Sequence, residues 1–290
     1  AAIARLADEG KTLVYLDRNG RFKARIEGAV SGNILLRQAQ FRRADSSEFC
    51  LAQAKASIAG KLRNSRYVLL RGARDSHDGD DAAVLRHAAD SIAIDLRNLE
   101  FAPDLDTVRG LEGNSARCYF SAMPRLIRPD QRSDFSPDGR SRRPPRDRAN
   151  ALLSFLYSML MNDCRSALEV VGLDPQLGFL HAVRPGRAAL ALDLMEEFRA
   201  ILADRLALTL INRNQLKADD FVLRPGGAVQ LQDDARKALI VAYQERKQEI
   251  IEHPLLEQKI SIGLLPKIQA HLLTRVIHGD TETYIPFLAR

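Results

Sequence analysis

The stretch ANALLSFLYSMLMNDCRSALEVV, residues 149–171, decides the fold. Leu152, Leu153, Phe155, Leu156, Met159, Leu160 and Leu168 make it too densely apolar for a surface helix. It stops at Gly172 with Pro175 following, as a buried central helix does. Working outward, a second apolar helix is expected from about 188 to 211. Helical periodicity also covers roughly 81–98, 104–122, 232–251 and 260–278. Asp45-Ser46-Ser47-Glu48 resembles a capping box ahead of a further long helix reaching about Leu70. Between these lie an Asp- and Gly-rich loop at 74–81 and a Pro- and Arg-rich stretch from Pro124 to Arg146, expected as a surface or disordered loop. Two hairpins are expected. One pairs 12–16 with 21–26 around Asn19-Gly20, and the other pairs 221–223 with 228–231 around Arg224–Gly227. The fold class is therefore mostly α: residues 31–290 form a helical domain, and 1–30 are the remnant of an N-terminal β-rich domain. A lone ribbon is marginal, so its neighbouring strands are expected upstream of Ala1, where the chain opens without an initiator Met.

At 290 residues and 46% hydrophobic content, the chain can bury a substantial core. Lys and Arg number 43 against 37 Asp and Glu, and the resulting +6 suits a polyanionic partner. No apolar run approaches the ~20 residues that cross a bilayer, and no signal sequence opens the chain, so it reads as cytoplasmic with no membrane association. Cys50, Cys118 and Cys164 form no Cys-x-x-Cys pair, which argues against thiol-bound zinc and for free thiols.

Three places carry possible chemistry. On the 188–211 helix, at 100° per residue, Leu190, Leu194, Phe198, Ile201 and Leu202 share one arc, and Asp193, Glu196 and Glu197 fall on the other. Such a stripe is ordinarily a solvated face. However, His181 lies just ahead of it in an apolar approach, and imidazole with carboxylates can hold a divalent ion. Glu112 shares a helical face with Ala116 and Tyr119, an inward-looking composition in which a carboxylate needs a cation. Finally, Arg125, Arg128, Arg132, Arg140, Arg142, Arg143, Arg146 and Arg148 outnumber four Asp over 125–148, a candidate clamp for phosphate oxygens.

These blocks, in their order and spacing, resemble the CRISPR-associated protein one family, in a form like subtype I-C. The resemblance is carried by Leu111–Tyr119, by Gly139–Pro145 through Asn150–Tyr157, by Gly172–Pro175 through Phe179–His181, by Leu192–Arg199, and by a closing Gly279–Leu288 segment. It implies a DNA integrase and endonuclease of CRISPR adaptation, in which the 3′-OH of a captured DNA fragment attacks a phosphodiester of the repeat. By the same resemblance Glu112, His181 and Glu196 bind Mg²⁺ or Mn²⁺, with Asp193 a second catalytic acidic residue that assists and Glu197 left solvated. Arg140, Arg142, Arg143, Arg146, Tyr157 and Asn150 are carried over as nucleic-acid contacts. The implied partners are DNA, a second copy in a homodimer, and CRISPR-associated protein two. Two other readings remain open: an endonuclease whose normal product is cleaved DNA, and a catalytically inert helical nucleic-acid-binding scaffold.

Overall fold

The structure, a computed structural model, describes residues 2–9, 13–16, 22–26, 34–137, 139–141 and 143–289. A short helix α1 (Ala2–Asp8) precedes the antiparallel ribbon β1 (Leu13–Leu16) and β2 (Phe22–Ile26), and the Asn19-Gly20 turn lies outside the described residues. Then follow α2 (Ile34–Ala44), α3 (Ser47–Asp75), α4 (Gly79–Glu100) and α5 (Leu105–Ala122). The starts of α3, α4 and α5 are fixed by side-chain caps: Ser46 accepts from the Phe49 N–H, Asp78 from Asp80 and Asp81, and Asp104 from Thr107. A short α6 (Arg132–Phe135) leads to the central α7 (Arg148–Val170), which is capped by Asp147.

The expected 188–211 helix is not one helix. Helix α8 (Ala189–Met195) tightens into a 3₁₀ turn at Glu196–Phe198, widens into π geometry at Arg199–Asp204, and resumes as α9 (Arg205–Asn212). Winding changes of this kind re-aim side chains that a uniform wheel would keep on one stripe. The hairpin β3 (Phe221–Arg224) and β4 (Ala228–Leu231) pairs as expected. After α10 (Asp233–Gln248), a ribbon β5 (Ile250–His253) and β6 (Gln258–Ser261) leads into α11 (Leu265–His278), with Gly279 at positive φ closing it.

α3 packs against α4, α5 and the 196–204 segment, while α7 packs against α8 and α11. Ile58, Leu62, Leu69, Leu85, Ile92, Leu152, Leu156 and Phe198 are fully buried where these layers meet. The Pro- and Arg-rich stretch is not a free loop. Ile127 and Phe135 are buried, and Asp81 holds both Arg125 and Arg132. Arg128 bonds Asn212, and Arg148 pairs with Asp134. Arg125, Arg128, Arg132 and Arg148 are thus engaged by the fold, because buried polar groups must find partners. The three cysteines are free. No helix among the described residues is long and apolar enough to cross a membrane.

Candidate functional site

Helix α3 turns Ala54, Ile58, Lys61 and Ser65 inward, and Lys61 is the one charged residue of that set. Its ammonium contacts Glu112 Oε1 from α5 and lies 2.7 Å from Glu196 Oε2. Glu196 Oε1 takes Arg199 Nη2 at 2.9 Å and faces His181 Nε2 at 3.9 Å. Glu196 is buried. That burial would raise its carboxyl, but Arg199, Lys61 and His181 outweigh it and hold the group at about 2. The buried Oε2 is held by the Lys61 ammonium.

His181 is set by Asp193. One carboxylate oxygen accepts the Phe179 and Leu180 N–H groups at 2.7 and 3.0 Å. The other takes the His181 N–H at 3.0 Å and its Nδ1 at 2.6 Å. A carboxylate on Nδ1 requires the proton there and turns Nε2 toward Glu196. Asp193 is therefore saturated, and it orients His181 without itself reaching the Glu112–Glu196 pair. The contact needs Gly178: a Cβ there would stand 2.8 Å from both the Ala189 carbonyl carbon and Asp193 Oδ2. Gly178→Ala is expected to pry α8 from this loop at about 1–3 kcal/mol of stability, read by urea denaturation, and to weaken the protected Nδ1–H signal in proton NMR.

Glu197 overturns its expected place in solvent. It is buried, Oε1 accepts the Tyr284 hydroxyl at 2.5 Å, and Oε2 accepts Gln269 Nε2 at 3.1 Å and the Phe287 N–H. Asn64 completes this lock on the closing segment by bonding Glu197 O, Phe287 O and the Ala289 N–H. Burial pushes the Glu197 carboxyl up to about 8, against the lowering effect of Tyr284, Phe287 and Gln269. A carboxyl raised in the folded state contributes stability below its ordinary 4.5 and loses it as pH rises through about 8. Glu197→Gln should flatten that pH slope. Glu197→Ala should cost roughly 1–3 kcal/mol for each donor left unanswered, as urea melts at about pH 6 and about pH 9 would show.

The stripe of three carboxylates is thus split three ways: Asp193 to the His181 loop, Glu196 to Lys61 and Arg199, Glu197 to the C-terminal segment. Among the described residues, no three His, Cys, Asp or Glu side chains close on one point as they stand. The donor set nevertheless fits a divalent ion. Two carboxylates share the ammonium of Lys61, so they already hold one cation between them, and an imidazole nitrogen faces Glu196 at 3.9 Å.

Beside the cluster runs a groove of about 670 Å³ lined by Arg140, Arg143, Tyr157, Arg199, Gln230 and Arg236. The guanidinium groups of Arg140 and Arg199 both lie over the Tyr157 ring, at 5.2 and 5.0 Å, and its hydroxyl bonds Asp204 at 2.7 Å. Asn150 is fully buried and does not face the groove; it accepts Arg140 Nη1 at 2.7 Å and bonds Gly139 O. Arg143 and Arg146 are exposed, and Arg142 lies outside the described residues.

Sequence reasoning missed Lys61, Arg199 and Gly178. The signal for Lys61 was a cation in register with the apolar Ala54 and Ile58 on the inward face of α3.

Three comparisons bear on the family. The family description "CRISPR associated protein Cas1" matches residues 1–245. The "CRISPR-associated endonuclease Cas1 1" of Moorella thermoacetica is 54% identical over 288 residues, spanning 99% of this chain and 84% of that protein. Among solved structures, a casposase bound to integration product superposes with a TM-score of 0.83 at 23% identity, over 98% of this chain and 76% of its own. A CAS1 protein from Thermotoga maritima reaches 0.80, also at 23%, over 99% and 84%. At such identities these two speak for the fold alone.

Proposed function

Since the chain belongs to the CRISPR-associated protein Cas1 family, we propose that it inserts captured DNA into a CRISPR repeat by transesterification. The observation that supports this most is the meeting of Glu112 and Glu196 on the Lys61 ammonium, with His181 Nε2 3.9 Å from the other oxygen of Glu196, beside a groove lined with arginine. Glu112, Glu196 and His181 would hold Mg²⁺ or Mn²⁺, which when bound supplies Lewis-acid stabilisation of the phosphate oxygens. The chain's own residues do the rest. Asp193 fixes the imidazole tautomer. Arg199 keeps Glu196 ionised and in place. Arg140 and Arg199, held on the Tyr157 ring, offset phosphate charge in the groove. A 3′-OH attacks the repeat phosphodiester, one P–O bond forms as another breaks, and no enzyme nucleophile is needed.

The test mixes the protein with a DNA fragment bearing a 3′-OH and a duplex containing the repeat, in Mg²⁺ and separately in Mn²⁺. Joined strands are expected, and a fragment with a 3′-deoxy end should give none. Cleavage without joining would favour the hydrolytic reading that the word "endonuclease" in the relative's name suggests. No reaction at all would favour the inert scaffold.

DNA binding rests on the exposed arginines. Arg143→Ala and Arg146→Ala should each reduce the slope of log affinity against log salt by roughly one, while Arg125→Ala, which breaks a contact to buried Asp81, should act on stability instead. The β1–β2 ribbon is proposed to serve the homodimer and the docking of CRISPR-associated protein two, in a cytoplasmic setting.

A further inference from the structure

We infer that Lys61 is a built-in competitor for the metal: its ammonium occupies the place between Glu112 and Glu196 that the divalent ion must take, so loading the site requires Lys61 to leave it. This rests on the metal reading above and goes beyond it in naming a residue that opposes binding.

Three observations carry it. First, the ammonium bridges one oxygen of each carboxylate, in contact with Glu112 Oε1 and 2.7 Å from Glu196 Oε2. A ligand oxygen cannot serve an ammonium and a hard divalent ion from the same lone pair at once, and two cations at one point repel. Second, Lys61 does not hold Glu196 alone, because Arg199 bonds its other oxygen at 2.9 Å. Third, there is somewhere to go. Lys61 also borders a small cavity of about 20 Å³, shared with Ser65, Ser115, Tyr119, Tyr157 and Asp204, which suffices for one water-sized group such as an ammonium. Asp204 is buried there, bonded to Tyr157, and offers a carboxylate to receive the displaced charge. A long unbranched side chain on a fixed helix can pivot between two such positions without moving α3.

The consequence is a site that stays neutralised and folded without metal, at the expense of metal affinity. The experiment titrates Mn²⁺ alone into the full chain by isothermal calorimetry, for the wild type, Lys61→Met, Lys61→Gln and Glu196→Gln, each first checked as folded by circular dichroism. Both Lys61 variants are expected to bind Mn²⁺ at least roughly ten-fold more tightly than the wild type, since charge-assisted contacts no longer have to be broken. Lys61→Gln keeps a polar head between the carboxylates, so it answers the question even where Lys61→Met does not fold. Equal or weaker binding by the folded variants would overturn the inference and leave the metal site standing. If instead Glu196→Gln binds Mn²⁺ as the wild type does, the metal reading itself fails, and Lys61 with it.

Discussion

Glu196→Gln should abolish strand joining, by at least roughly 10²–10³-fold, while changing DNA affinity by no more than about two-fold. The amide keeps the shape of the side chain but removes the charge that a hard cation needs. Burial makes the effect absolute rather than graded. Glu196 is 2% exposed, so no water replaces the lost charge, and Arg199 and Lys61 are left facing an uncharged amide. Single-turnover joining and a filter-binding isotherm on the same preparation separate the two quantities. A variant that joins normally would remove Glu196 from the chemistry.

Asp193→Asn should be nearly as damaging, although Asp193 is placed at one remove from the reacting atoms. Its carboxylate accepts from three backbone N–H groups and from His181 Nδ1, so one end of an amide must present hydrogens to donors. The imidazole then loses the partner that fixes its tautomer, and Nε2 is no longer held toward Glu196. We expect a loss of about 10–100-fold in metal affinity, the range for partners that orient metal-bound histidines. A purely structural role would instead lower stability without changing Mn²⁺ affinity in the folded fraction, which calorimetry resolves.

Much of this was legible in the sequence because periodicity and caps report local physics. The 149–171 stretch became α7 within a residue, and the start read at Asp45-Ser46-Ser47-Glu48 is there, with Ser46 as the capping acceptor. The 124–146 segment was misread because composition does not reveal partners. Asp81, more than forty residues away in sequence, recruits Arg125 and Arg132 and ties residues 125–132 to α4. The carboxylate stripe was misread for a different reason. A uniform 100° step keeps Asp193, Glu196 and Glu197 on one face, whereas the 3₁₀ and π turns separate their surroundings. Glu197 was assigned to solvent because its partners Gln269, Tyr284 and Phe287 arrive from the end of the chain, which no local pattern announces. Lys61 was overlooked for want of a motif, although a cation recurring in register with Ile58 and Ser65 is itself evidence of a buried anion nearby.

The central claim is that Glu112, His181 and Glu196 hold one divalent ion, with Asp193 and Glu197 held away from it. Anomalous diffraction from crystals soaked in Mn²⁺ tests it most directly. The account predicts a single peak within coordination distance of one oxygen each of Glu112 and Glu196 and of His181 Nε2, with the Lys61 ammonium displaced. A peak on Asp193 or Glu197 instead, or an ion bound while Lys61 still bridges Glu112 and Glu196, would contradict it.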